Sequence, residues 1–252
     1  MKSNIYMPRT YRKTSKPKDL YCYEIKHKES DLLISSGENL KDTALKSLKK
    51  YRNQIEEYIE KDPHFASALI PYKLLKSAPL ITRKMQEAGK VCGVGPMAAV
   101  AGAISQFVGK DLLKLTDEVI IENGGDIFIK TKKTRKIAIF SGNTPWKDKL
   151  ILVINPEQTP IGICTSSGKI GHSLSFGKAD AVAVTSDCAI LADAVATAVG
   201  NMIQSPHDIP KAIRYCRKIK NIKGLVIIKD SDLGIWGDIQ LEDRERNTIE
   251  IR

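Results

Sequence analysis

Asp193 and Thr197, one helical turn apart, offer the clearest chemistry in this sequence of 252 residues. Residues four apart on a helix lie one above the other. The helix that would carry them has a continuous apolar stripe in Ile190, Leu191, Ala194, Val195, Ala198, Val199 and Met202. An acid on such a helix is costly to bury without a counter-charge. No Lys or Arg occurs between Lys178 and Lys211 to supply one locally. A carboxylate and a hydroxyl so aligned are two hard oxygen ligands that suit Mg²⁺, which keeps its other positions for water and a phosphate. The same spacing is met by an Asp that serves a helix N-terminus and a Thr that bonds back to a carbonyl.

Three further segments could meet a ligand. Thr165-Ser166-Ser167-Gly168 follows an apolar run from Pro160 to Cys164. Its hydroxyls and amides could cradle a diphosphate, and an ordinary polar loop explains the same residues. His172 lies a few positions on as a candidate assistant to catalysis. Asn123-Gly124-Gly125-Asp126 between two apolar runs is what a tight hairpin requires, and it leaves bare backbone that a ligand can approach. Gly93-Val94-Gly95-Pro96-Met97-Ala98 imitates a dinucleotide fingerprint, but Glu87-Ala88-Gly89-Lys90 is no strand to precede it, which excludes that reading. A turn at Gly95 that opens a helix can still present amides to an anion. No Gly-x-Ser-x-Gly elbow exists to activate a serine.

These residues need a scaffold. Alternation over Leu20 to Lys26 and the run Asp31 to Ser35 predict a hairpin. From Asn39, apolar residues at three- and four-residue steps predict an amphipathic helix that ends near Pro63. Residues 64 to 90 read as a shorter helical connection broken by Pro71 and Pro79, before a glycine turn and an Ala-rich helix from Met97 to Val108. Strands are predicted at Val119–Glu122, Ile127–Ile129, Ile137–Phe140, Leu150–Ile154, Ile161–Cys164, Leu225–Ile228 and Ile235–Leu241. Helices are predicted at Cys188–Ile203 and Pro210–Ile219. Helices inserted among hairpin-linked strands predict an α+β layered domain with mixed or antiparallel sheets and packed helices.

Composition narrows the class. Hydrophobic residues make up 42% and charged residues 27%, which suits a sizeable globular core. The N-terminus stays polar through Lys18, without the apolar stretch of a signal peptide or membrane span, so a cytoplasmic protein is expected. The five cysteines have no Cys-x-x-Cys pair and read as reduced thiols. A net charge of +11 raises nucleic acid as a partner. Aromatic residues are only 6% and do not interleave with the basic runs, so solvated basic faces are the better reading. Residues 1–18, with Lys2, Arg9, Arg12, Lys13, Lys16 and Lys18, are expected to be a basic flexible arm.

Taken in order, Gly95-Pro96-Met97-Ala98, Gly124-Gly125-Asp126, Ile137-Ala138-Ile139, Thr165-Ser166-Ser167-Gly168, His172 and Ala192-Asp193-Ala194-Val195-Ala196-Thr197 resemble the ApbE-like FAD:protein FMN transferases over roughly Gly93 to Met202. The resemblance implies that residues 19–252 form one ApbE-like domain, or two closely joined lobes. It implies cleavage of the FAD diphosphate with Mg²⁺ and passage of FMN to a Thr or Ser hydroxyl of an acceptor protein. Asp193 and Thr197 would be metal ligands, with Asp193 and His172 at the chemistry. Gly124, Gly125, Asp126 and Thr165 to Gly168, with Gly95, would line a pocket for FAD or FMN. Two departures mark a divergent branch. The position of the Lys that transferases carry after the glycine turn falls near Ala99, and the segment after the histidine reads His172-Ser173-Leu174-Ser175. A non-catalytic flavin-binding or accessory module is the alternative activity, and a homo-oligomer is compatible with the sequence.

Overall fold

The computed structural model describes Arg12 and residues 17–147, 149–167 and 177–244. An eight-stranded sheet is built from β1 (Tyr21–His27), β2 (Ser30–Ser36), β3 (Val119–Asn123), β4 (Asp126–Lys130), β7 (Ile161–Ser166), β8 (Ala181–Ser186), β9 (Ile222–Lys229) and β10 (Asp232–Gly237), in that spatial order. A three-stranded sheet runs β11 (Gln240–Asp243), β6 (Leu150–Ile154), β5 (Arg135–Ala138). Every strand pairing in both sheets is antiparallel. The helices are α1 (Lys41–Lys61), α2 (His64–Ser67), α3 (Leu80–Cys92), α4 (Val100–Leu112), α5 (Ala189–Met202) and α6 (Ile209–Cys216). The fold is α+β, as the sequence predicts.

Period-two patterning explains the layering. On β8, Val182 and Val184 join the core under the helices, whereas Ala181 and Ala183 join a second core under the small sheet. On β9, Leu225 and Ile227 face the helices while Val226 and Ile228 face away. Successive strand residues point to opposite faces, so a sheet covered on both sides must be apolar at both. The order is therefore helices, large sheet, small sheet.

Four expectations change. β8 was not predicted, because Ala181-Val182-Ala183-Val184 buries both faces and shows no polar alternation. Residues 64 to 90 contain one proper helix, α3, which starts immediately after Pro79 and ends at Gly93 in the left-handed region with φ of 71°. Its proline opens the helix instead of breaking it. The expected strand Ile235–Leu241 is two strands in different sheets, divided at Gly237, where φ is 101°. Within the expected flexible arm, Arg12 is buried, at 5% exposure, between acids of the large sheet. Among the described residues, no single helix is long and apolar enough to cross a membrane.

Candidate functional site

The centre of the site is a carboxylate at the beginning of another helix. A 3-10 turn, Pro96–Ala99, delivers the chain into α4, whose first-turn amides have no partner within the helix. Asp193, in the first half of α5 and 9% exposed, accepts the Gly102 N–H at 2.8 Å and is also bonded by the Ala101 amide. Gly102 makes the approach possible. A Cβ there would lie 2.9 Å from the Asp193 Cβ and would collide with the Ala189 carbonyl oxygen. Sequence reasoning weighed a helix-capping Asp, and the capped helix is α4, not the one that carries it. The helix dipole favours the charged carboxylate. Burial outweighs it and pushes the Asp193 carboxyl up to about 7.

A second acid faces the first. Asn123 and Asp126 pair across a two-residue turn, with Gly124 at φ 69° and Gly125 at φ 109°, values that glycine adopts without a Cβ penalty. The hairpin is held from two sides. The Asn123 side-chain amide donates to the Ala101 carbonyl oxygen at 3.2 Å, and the Gly125 amide donates to Glu122 Oε1 at 3.1 Å. Asp126 opens β4 directly opposite Cys164 of β7. By strand alternation it shares the helix-facing side with Phe128. Burial first, then the charge of Asp193, raises the Asp126 carboxyl well above the ordinary carboxylate range, with Glu122 adding to it. The two carboxyls are therefore close enough to resist joint ionisation.

The β7 side differs from expectation. Thr165 and Ser166 continue the strand, whereas sequence reasoning ended it at Cys164 and made a turn of the hydroxyls. Extended geometry sends neighbouring side chains to opposite faces, so Thr165 and Ser166 cannot converge with Ser167 as one cradle. Ser166 is the residue on the α5 side, with its Oγ 3.2 Å from where a Cβ of Gly200 would stand. Thr197 lies one turn beyond Asp193, half-buried, and its hydroxyl makes no hydrogen bond among the described residues. Gly168 and His172 fall outside the described residues. Gly95 is also corrected as an anion site. Its amide donates to the Leu69 carbonyl oxygen at 3.0 Å, and a Cβ there would lie 2.6 Å from the Ala68 carbonyl carbon, so close backbone packing accounts for it.

Among the described residues, no group of three or more His, Cys, Asp or Glu side chains has the arrangement to hold a metal ion by itself. Two raised carboxyls with a hydroxyl one turn away do fit an oxygen-seeking divalent ion that takes part of its shell from a ligand. Thiol chemistry does not fit. Burial pushes Cys92 and Cys216 up to about 12 and raises Cys164 well above the ordinary thiol range, and Cys164 Sγ donates to the Ala189 carbonyl oxygen at 3.3 Å. Two open clefts of about 750 and 440 Å³ lie instead around Leu113 and Thr116, at the other end of α4. In their walls Lys132 pairs with Asp117 at 2.8 Å.

Sequence reasoning did not single out Ala101, Gly102, Glu122, Cys164 or Arg12 as parts of this site. Gly102 in an Ala-rich helix is the one local signal of close approach.

Comparison with known proteins shows the family and the fold. The UPF0280 protein of Methanosarcina acetivorans is 37% identical over 200 residues, covering 79% of each chain. The UPF0280 protein of Methanocella arvoryzae is 35% identical over 227 residues, 90% of this chain and 89% of that one. Among solved structures, the flavin transferase ApbE from Vibrio cholerae matches with a TM-score of 0.60 at 11% identity, over 87% of this chain and 97% of that one. The flavinyl transferase ApbE of Pseudomonas stutzeri, in its apo form, matches with a TM-score of 0.57 at 10% identity, over 86% and 94%. These likenesses show a shared fold. The family described as "AbpE bacteria" matches residues 12–235, and this chain belongs to that ApbE-like family.

Proposed function

We propose that the chain binds a flavin nucleotide with Mg²⁺ between the start of α4, the hairpin at Gly124-Gly125 and the Asp193–Thr197 edge of α5. There it cleaves the FAD diphosphate. The oxygen of a Ser or Thr hydroxyl on an acceptor protein forms a bond to the FMN phosphorus, the P–O bond to AMP breaks, and AMP leaves with the electron pair. The hydroxyl proton passes to solvent or to a neighbouring base. The observation that carries this reading is the pair of raised acids, half-buried Asp126 and buried Asp193, with no basic side chain bonded to either among the described residues. Such a pair is costly in the free protein and is relieved by a cation that arrives with its ligand.

Asp193 and Thr197 would hold the ion and Asp126 would add the second negative charge. The ion would neutralise charge on the departing phosphate and keep the diphosphate in line. The α4 amides fix the Asp193 carboxylate, and Ser166 offers a hydroxyl along the same flank. The fold shared with flavin transferases supports the substrate class.

Titration of FAD into the protein, with and without Mg²⁺, with chromatography for AMP, tests the proposal. Expected are Mg²⁺-dependent affinity and AMP release, both abolished by Asp193→Ala. Folded protein that neither binds nor turns over any flavin nucleotide would refute it. A second reading, a flavin-binding module without transfer, is favoured by Ala99. Its side chain is 0% exposed in the 3-10 turn, in the region where transferases carry a lysine. Affinity for FAD without AMP release decides for that reading.

A further inference from the structure

Arg12 enters the large sheet from the N-terminal segment and spans two strands. Its Nε and Nη2 reach Glu122 Oε2 at 2.7 and 2.6 Å. Nη1 donates to Asp31 Oδ1 at 2.7 Å, and Nη2 donates to the Asp31 carbonyl oxygen at 2.9 Å. The guanidinium is 5% exposed, so these are desolvated, charge-assisted bonds in a fixed fork. Burial alone would weaken the cation, but the two carboxylates outweigh it and raise its proton affinity. Glu122 then bridges. One oxygen takes the arginine, and the other accepts the Gly125 amide of the hairpin that presents Asp126. Glu122 is also one of the charges that lift the Asp126 carboxyl.

We propose that Arg12 is a positioning residue for the flavin-nucleotide site, acting through Glu122 to hold the Gly124-Gly125 turn and the Asp126 carboxyl in place. This rests on the proposed flavin site. It makes Arg12 part of the support of that site. Arg12 touches no reacting atom, and its influence passes through one carboxylate with two different oxygens engaged. A glycine pair with both φ values positive has little stiffness of its own, so the turn depends on the bonds that hold it, and the Gly125 amide bond to Glu122 is the one that Arg12 reaches.

Two measurements on the full chain test it: hydrogen exchange of the turn amides without ligand, and FAD affinity with Mg²⁺. Arg12→Met should speed exchange at residues 124–126 by about tenfold to a hundredfold, the equivalent of one lost charge-assisted bond, and weaken FAD by a similar factor. Amides of β9 should exchange as before. Adding Glu122→Gln to Arg12→Met should recover most of both losses, because the amide oxygen still accepts the Gly125 N–H, no Glu122 carboxylate is left facing a missing cation, and Asp31 keeps Lys26 at 3.2 Å. Unchanged turn exchange in Arg12→Met, or no recovery in the double variant, overturns the proposal. If the wild-type chain binds no flavin nucleotide, the functional reading fails while the exchange result still decides Arg12. Should Arg12→Met not fold, Arg12→Lys, which cannot fork across two acids, serves for the same comparison.

Discussion

Asp193→Asn should make the metal-free protein more stable at neutral pH, although it alters the centre of the site. The native carboxyl sits at about 7 against a usual value of 3.8. A group whose folded pKa is raised holds its proton in the native state after the unfolded chain has released it. Its stabilising contribution is complete below the unfolded value and is lost as pH climbs to the folded value. That window is about three pH units wide, and each unit is worth about 1.4 kcal/mol, so the wild-type chain should lose on the order of 4 kcal/mol through this group between about pH 4 and pH 7. The variant has no such proton. It gives up one of the two acceptors that Asp193 offers to the Ala101 and Gly102 amides, which costs about 1 kcal/mol at every pH. The stability curves should therefore cross: the variant is weaker near pH 4 and stronger, by about 3 kcal/mol, near pH 7.5. Removing the Asp193 charge also lets the Asp126 carboxyl fall, which flattens the variant further. Urea unfolding in EDTA, followed by circular dichroism at several pH values with a check that the slope m stays constant, measures this. Parallel curves for the two proteins, or a variant that is weaker at pH 7.5, would refute the reasoning.

Two structural predictions follow from packing and hydrogen bonding. Gly162→Ala would place a Cβ 2.5 Å from the Ala189 amide nitrogen and 2.7 Å from its Cβ, with backbone that cannot yield. It should lower the urea-unfolding free energy by about 1–3 kcal/mol as α5 is pushed off β7; an unchanged midpoint would mean that α5 is not seated there. Tyr58→Phe removes the hydroxyl that accepts the Leu75 amide at 2.9 Å and donates to Asp62 Oδ2 at 3.1 Å. A loss of about 1–3 kcal/mol is expected, with faster exchange of the Leu75 amide as the specific mark.

The parts of this fold that announce themselves in sequence are those whose causes are local. The Asn123–Asp126 hairpin follows from two adjacent glycines between apolar runs, and α1 and α5 follow from their apolar steps. Asp193 stands out because an acid in an apolar helix lacks a nearby cation. Its partner amides lie on α4, 91 residues earlier, and nothing local connects them. The same holds for Arg12, whose acid on β3 is 110 residues away. Thr165 and Ser166 were read as a turn because hydroxyl residues favour loops, but antiparallel pairing with Ala183 and Val182 of β8 keeps them extended. That strand was itself invisible, so its effect on β7 could not be anticipated.

The small sheet closes late. β5 and β6 are adjacent in the chain, but β6 receives its other neighbour, β11, only from Gln240–Asp243. Leu241 of that strand then covers a core shared with Ile154, Ile161 and Val226. During synthesis the outer side of β6 stays an open hydrogen-bonding edge until Gln240–Asp243 has emerged. A chain truncated before residue 240 would thus keep the elements of its helical layer and carry a sticky flank on the opposite side.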